Sequence, residues 1–161
     1  MSPRRLEQLV ARLAAEPARW ERLVRHEDDA RVYEQLPLSE EDANAWLICW
    51  SGGQDTGFHD HDTSAGAVAV LAGRVREERL AVGAPAIARE FGAGRRFSIP
   101  LGAIHRVVHA GTAPAITLHA YSPPLLRMGA YAVGAHGELE RRALTCEQEL
   151  RSERRLIEAI G

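Results

Sequence analysis

Polar and apolar positions divide the chain into three textures. Near the amino terminus, Leu6, Leu9, Val10 and Leu13 recur at helical spacing and form one apolar stripe. Ser2 suits the cap and Pro3 the first turn, so a helix is predicted over residues 3–15. A second short helix is predicted from Pro17 through Trp20, Leu23 and Val24, which completes a helical segment over residues 1–28. Between residues 30 and 144 the pattern changes to short β-rich runs: Trp46–Trp50, Ala67–Leu71, Val75–Leu80, Ile87–Phe91, Phe97–Ile99, Arg106–His109, Ala115–Tyr121 and Met128–Val133. Glycines and the Pro123-Pro124 pair punctuate them. Many short strands separated by turn residues predict an all-β fold, an antiparallel sandwich or barrel. A closing helix is predicted over residues 145–161, with Thr145 and Gln148 as a capping box ahead of Leu150, Leu156, Ile157 and Ile160.

Composition narrows the function classes. The 161 residues suit one domain, and 45% hydrophobic with 26% charged residues is an ordinary globular balance. A formal charge of −2 offers no basic field for a phosphate backbone, so no nucleic-acid partner is expected. The arginines at 141–142 and 151–155 alternate with glutamates and read as solvated faces. Two distant cysteines, Cys49 and Cys146, make no disulfide framework and fit a reducing compartment. No apolar run suits a signal peptide or a membrane span, so the expectation is a soluble, cytoplasmic protein without a membrane partner.

The chemistry concentrates on histidine. In a strand, residues i and i+2 share a face, so His59 and His61 can present two imidazoles side by side. Alone, such a pair could be two surface histidines. The wider spacing is more specific: Gly53, five residues, His59-x-His61, then Gly94, five residues, Pro100-x-Gly102, two residues, His105. This resembles the two motifs of the cupin superfamily, small double-stranded β-helix (jelly-roll) barrels. The resemblance implies a metal held by His59, His61 and His105. The usual cupin glutamate has no counterpart, since its position is Gly66, and Asp62 should face away from His61.

Three further segments, Trp46–Trp50, Phe58–His61 and Leu118-His119-Ala120-Tyr121-Ser122-Pro123-Pro124, resemble the cysteine dioxygenase family over roughly residues 30–130. That resemblance implies Fe(II) on three histidines and oxidation of a small thiol, cysteine or a relative such as 3-mercaptopropionate, to its sulfinic acid by O₂. Thr117, His119 and Tyr121 alternate onto one strand face. The resemblance implies that Thr117 orients His119, that His119 holds Tyr121, and that Tyr121 places its hydroxyl near the iron. As a bland alternative, Tyr121 packs at a barrel end. A cysteine that cross-links to the tyrosine in some members is replaced by Gly66. The substrate-carboxylate arginine of the family aligns with Tyr33; Arg31, on the same face, is the candidate anchor, or else a surface residue at a strand start. His109 reads as a group behind the ligands or as a structural histidine, and Trp46, Trp50 and Phe97 read as core. A cupin acting on a non-thiol substrate, and a non-catalytic small-molecule binder, remain alternatives at this level.

Overall fold

The computed structural model describes residues 1–81, 84–133 and 139–145. One α-helix, α1 (Pro3–Ala14), opens the chain; the Ser2 hydroxyl accepts from the Arg5 backbone N–H at 3.4 Å, and Leu6, Leu9, Val10 and Leu13 are its buried face. The second predicted helix is replaced by two single 3₁₀ turns, Pro17–Arg19 and Glu21–Leu23. Neither has a side-chain cap, and a segment this short cannot recover the cost of nucleating an α-helix.

Among the described residues eleven strands follow: β1 (Val32–Leu36), β2 (Asn44–Trp50), β3 (His59–Asp60), β4 (Ala65–Ala72), β5 (Arg74–Ala81), β6 (Ala84–Gly92), β7 (Arg96–Ile99), β8 (His105–His109), β9 (Ala115–Ser122), β10 (Arg127–Val133) and β11 (Leu139–Thr145). Every predicted strand run lies inside one of them. Thr145, expected to start the closing helix, instead ends β11 opposite Arg127; the rest of that expectation, with Cys146, lies outside the described residues. Among the described residues no helix is long and apolar enough to cross a membrane.

The strands form two antiparallel sheets. One has the order β1-β2-β9-β4-β7, the other β11-β10-β3-β8-β5-β6. Side-chain alternation gives the first sheet two different faces. Its outer face (Ala45, Leu47, Cys49, Ala67, Ala69, Leu118 and Ala120) is buried beneath α1 in one apolar cluster. Its inner face (Ile48, Trp50, Val68, Val70, Phe97 and Ile99) packs with Val75 and Val107 of the second sheet in another. The inner face also carries Thr117, His119 and Tyr121, so β9 is shared between a helix-covered core and the inter-sheet space.

Candidate metal centre

β3 and β8 bring the histidines together. His59 lies directly opposite His105 in the antiparallel register, and His61 follows immediately after β3 ends. All three are buried, and one ligand atom from each lies within 4.8 Å of the others. The ring centroids of the three imidazoles stand 4.5–5.0 Å apart.

Hydrogen bonds decide which nitrogen His59 and His105 offer. Gly57 takes φ 64°, a left-handed conformation natural to glycine, and its carbonyl accepts from His59 Nδ1 at 3.1 Å. On the opposite strand, His105 Nδ1 donates to Glu77 Oε1 at 3.1 Å. With both Nδ1 atoms protonated, both Nε2 atoms carry lone pairs. His105 Nε2 is buried without a hydrogen-bond partner, and His59 Nε2 and His61 Nε2 face each other at 3.2 Å. Three inward-facing imidazole nitrogens, one of them orphaned, are what a bound cation satisfies. Burial, followed by the positive charge of neighbouring groups, pushes His59 and His61 well below the ordinary imidazole value; burial likewise lowers His105 against the opposing pull of Glu77. Neutral imidazole is the ligating form.

No carboxylate stands among these three. Asp62 takes φ 52° and pairs at 3.6 Å with Arg141, as the sequence expectation that it faces away requires. A carboxylate does stand one layer back. Glu77, 4% exposed, accepts from His105 and, at 2.6 Å, from Arg79, which also donates to the Ser98 carbonyl at 2.8 Å. Sequence reasoning missed it: Glu77 shares a face of β5 with Val75 and Arg79, but only the pairing of β5 with β8 turns that face to the histidines.

A second hydrogen-bonded line runs along β9. Trp50 Nε1 donates to Thr117 Oγ1 at 2.8 Å; Thr117 Oγ1 and His119 Nε2 are 2.9 Å apart; His119 Nδ1 and the Tyr121 hydroxyl are 3.1 Å apart. Indole N–H only donates, so Thr117 Oγ1 accepts from Trp50, and its hydroxyl can either donate to His119 Nε2 or accept from it. In the tautomer with the proton on Nδ1, His119 donates to the Tyr121 oxygen and the Tyr121 proton points away from His119. Burial, then the neighbouring His105 and Arg31, lowers His119 to about 3 and keeps it neutral. The Tyr121 ring meets the His61 ring at 4.7 Å between centroids. Trp50, read from sequence as core alone, is both core and the start of this line.

Arg31 is buried at 4% exposure, which overturns the surface reading. It immediately precedes β1, and its guanidinium lies over the rings of Tyr33 and Trp50 at 5.4 Å from each centroid. Its charge reaches both His59 and His119. Gly66 pairs with Tyr121 across β4 and β9, and a Cβ there would meet the Tyr121 ring at 3.1 Å. His109 Nε2 lies 2.9 Å from the Ala113 carbonyl; since a carbonyl only accepts, His109 is the donor and closes a turn away from the ligands. A small cavity opens on the site, lined by His59, His105, His119 and Tyr121 and by the apolar Ile48, Val107, Leu125 and Met128.

Comparison with known proteins places this geometry. No curated protein matches the chain. Among solved structures, a Thermus thermophilus protein is 22% identical, with 65% of this chain and 93% of that one covered and a TM-score of 0.56. An uncharacterized conserved Klebsiella pneumoniae protein with a double-stranded β-helix domain is 19% identical, covering 64% and 80%, at a TM-score of 0.55. A cupin superfamily protein from Desulfitobacterium hafniense is 12% identical, covering 65% and 87%, at 0.54. These likenesses establish the cupin fold. The family model for cysteine dioxygenase type I matches residues 4–133, a span that takes in α1, both sheets up to β10, the three histidines and the line from Trp50 to Tyr121, and the chain belongs to that family.

Proposed function

We propose that the protein is an Fe(II)-dependent thiol dioxygenase, which joins a small thiol and O₂ into a sulfinic acid. The reading rests on one observation above the rest: three buried, neutral histidines with no carboxylate among them, in a chain of the cysteine dioxygenase type I family. His59, His61 and His105 would hold the metal. When bound, iron supplies the redox chemistry with O₂ and a seat for the thiolate sulfur. The stoichiometry balances without a further reductant: sulfur loses four electrons, O₂ gains four, and both oxygen atoms end on sulfur.

The chain's own residues do the positioning. Gly57 and Glu77 keep the proton on Nδ1 of His59 and His105, which leaves Nε2 for the metal. The Tyr121 hydroxyl, held by His119, is placed to donate to negative charge developing on oxygen or sulfur. Ile48, Val107, Leu125 and Met128 enclose the carbon skeleton and exclude water, which strengthens that hydrogen bond. Arg31, buried beside Tyr33, adds a positive charge that favours a thiol bearing a carboxylate.

The test is oxygen uptake by iron-loaded protein against cysteine, 3-mercaptopropionate and cysteamine, with sulfinate quantified by mass spectrometry. The expected result is one sulfinate per O₂ for at least one thiol and loss of both bound iron and turnover in His105→Ala. Uptake at the metal-free background with every thiol would overturn the reading.

A further inference from the structure

The strand that carries the first ligand is only two residues long. β3 is paired through His59 to His105 and Ala130, and through Asp60 to Gly129, and then ends before His61. So short a ladder leaves the backbone between two ligands weakly fixed by main-chain bonds alone. Asp60 lies between His59 and His61, and alternation turns its side chain to the opposite face from theirs. There its carboxylate, 7% exposed, accepts from Arg141 Nε at 2.7 Å, from Arg141 Nη2 at 2.9 Å, from the Tyr131 hydroxyl at 2.6 Å and from the Asp62 backbone N–H at 2.8 Å.

Two independent features show that this grip is built rather than incidental. Gly129 faces Asp60 in the ladder, and a Cβ there would overlap Arg141 Nε and lie 2.6 Å from Asp60 Oδ2. The guanidinium therefore crosses β10 where no side chain stands in its way. In addition, Arg141 Nη2 lies 3.6 Å from Asp62, whose φ of 52° is rare outside glycine. One guanidinium thus holds the residues on both sides of His61. Arg141 sits on β11, beyond the span that the family model matches.

We propose that Arg141 is a positioning residue for the metal centre: with Tyr131, through Asp60 and across Gly129, it fixes the backbone that presents His59 and His61. The proposal rests on the reading of these histidines as ligands. A planar guanidinium gripping a carboxylate by two bonds fixes both its distance and its orientation, which an ammonium cannot do. The clasp thereby sets how closely the two imidazoles converge.

The experiment measures Fe(II) affinity by chelator competition and the urea midpoint of the metal-free protein in the same preparations. Arg141→Ala is expected to weaken iron binding about 10-fold, the lower end for groups that orient metal ligands. Arg141→Lys is expected to recover little of it, and Gly129→Ala to resemble Arg141→Ala by displacing the guanidinium. Arg74→Ala, which removes a 3.2 Å surface pair with Glu90, should leave iron affinity unchanged. If Arg141→Ala does not fold, Arg141→Lys and Tyr131→Phe carry the comparison. Wild-type affinity in the folded Arg141 variants, whatever their urea midpoints, overturns the proposal. Retention of iron by His59→Ala would overturn the ligand reading instead, and the two failures are thereby distinguishable.

Discussion

Glu77→Gln is the sharpest test of how the metal centre is tuned. The substitution keeps size and an acceptor oxygen but removes the charge from a residue 4% exposed that accepts from His105 Nδ1 at 3.1 Å. A hydrogen bond to a charged group contributes about 1.5–3 kcal/mol, against about 1 kcal/mol for a neutral one. Losing that difference, about 0.5–2 kcal/mol, weakens the preference for the Nδ1–H tautomer and the basicity of Nε2. At about 1.4 kcal/mol per factor of ten, iron binding should weaken about 2- to 30-fold. Arg79 also loses its charged partner, but it keeps the Ser98 carbonyl at 2.8 Å and its side chain is 31% exposed. The fold should survive. Glu77→Ala should weaken binding further, because it removes the acceptor as well. The assay is anaerobic chelator competition at constant pH, with unfolding of the metal-free protein measured in parallel. Wild-type iron affinity in both variants, accompanied by a lowered urea midpoint, would show that Glu77 only braces Arg79 between the sheets and would refute the tuning argument.

Tyr121→Phe should retain iron and fold while turnover falls about 10- to 1000-fold, the scale of one lost hydrogen bond to developing charge; unchanged turnover in steady-state oxygen uptake would make Tyr121 a packing residue. Arg31→Met should raise KM for a carboxylate-bearing thiol at least about 10-fold and leave cysteamine nearly unaffected; equal effects on both would remove the anchor role. Acid should destabilise the metal-free protein through His119. Its folded value of about 3 lies below the ordinary 6.5, so the unfolded state binds the proton first. Stability is then fully present above about pH 6.5 and falls as pH drops from there towards 3, by about 1.4 kcal/mol from this one residue between about pH 7.5 and 5.5. A urea midpoint independent of pH over that range would contradict a buried, neutral His119.

What the sequence disclosed was whatever a period or a spacing can carry. The stripe of Leu6, Leu9, Val10 and Leu13 announced α1, and alternation of Thr117, His119 and Tyr121 placed them on one face, which the 2.9 and 3.1 Å contacts along β9 match. The convergence of His59, His61 and His105 was implied by the resemblance of their surroundings to the two cupin motifs. What stayed hidden depends on contacts between strands distant in the chain. Glu77 looks like any solvated glutamate in Arg-Glu-Glu-Arg until β5 is known to lie against β8, where Arg79 pairs with His105 in register. Arg141 read as one more charge on a solvated face, because nothing local says that β11 crosses Gly129 to reach Asp60. The 3₁₀ turns after α1 show the other failure, in which a few apolar positions at helical spacing are too few to sustain a helix.

The sharing of β9 between two cores has a consequence for how the site can open. Leu118 and Ala120 are locked beneath α1, while Thr117, His119 and Tyr121, their immediate neighbours, face the metal side, and β9 is the central strand of its sheet. Exposing the tyrosine wall would mean stripping a helix from the other side of the same strand, so its amides should exchange with solvent only in global unfolding. Among the described residues the facing wall has no helix behind it: β3 is two residues long and leans on a clasp that is partly exposed. Local excursions should therefore begin at His59 and His61, with the tyrosine wall still folded. Metal would enter and leave by the histidine wall, and the lifetime of the bound ion would follow the opening rate of β3 rather than the stability of the whole fold.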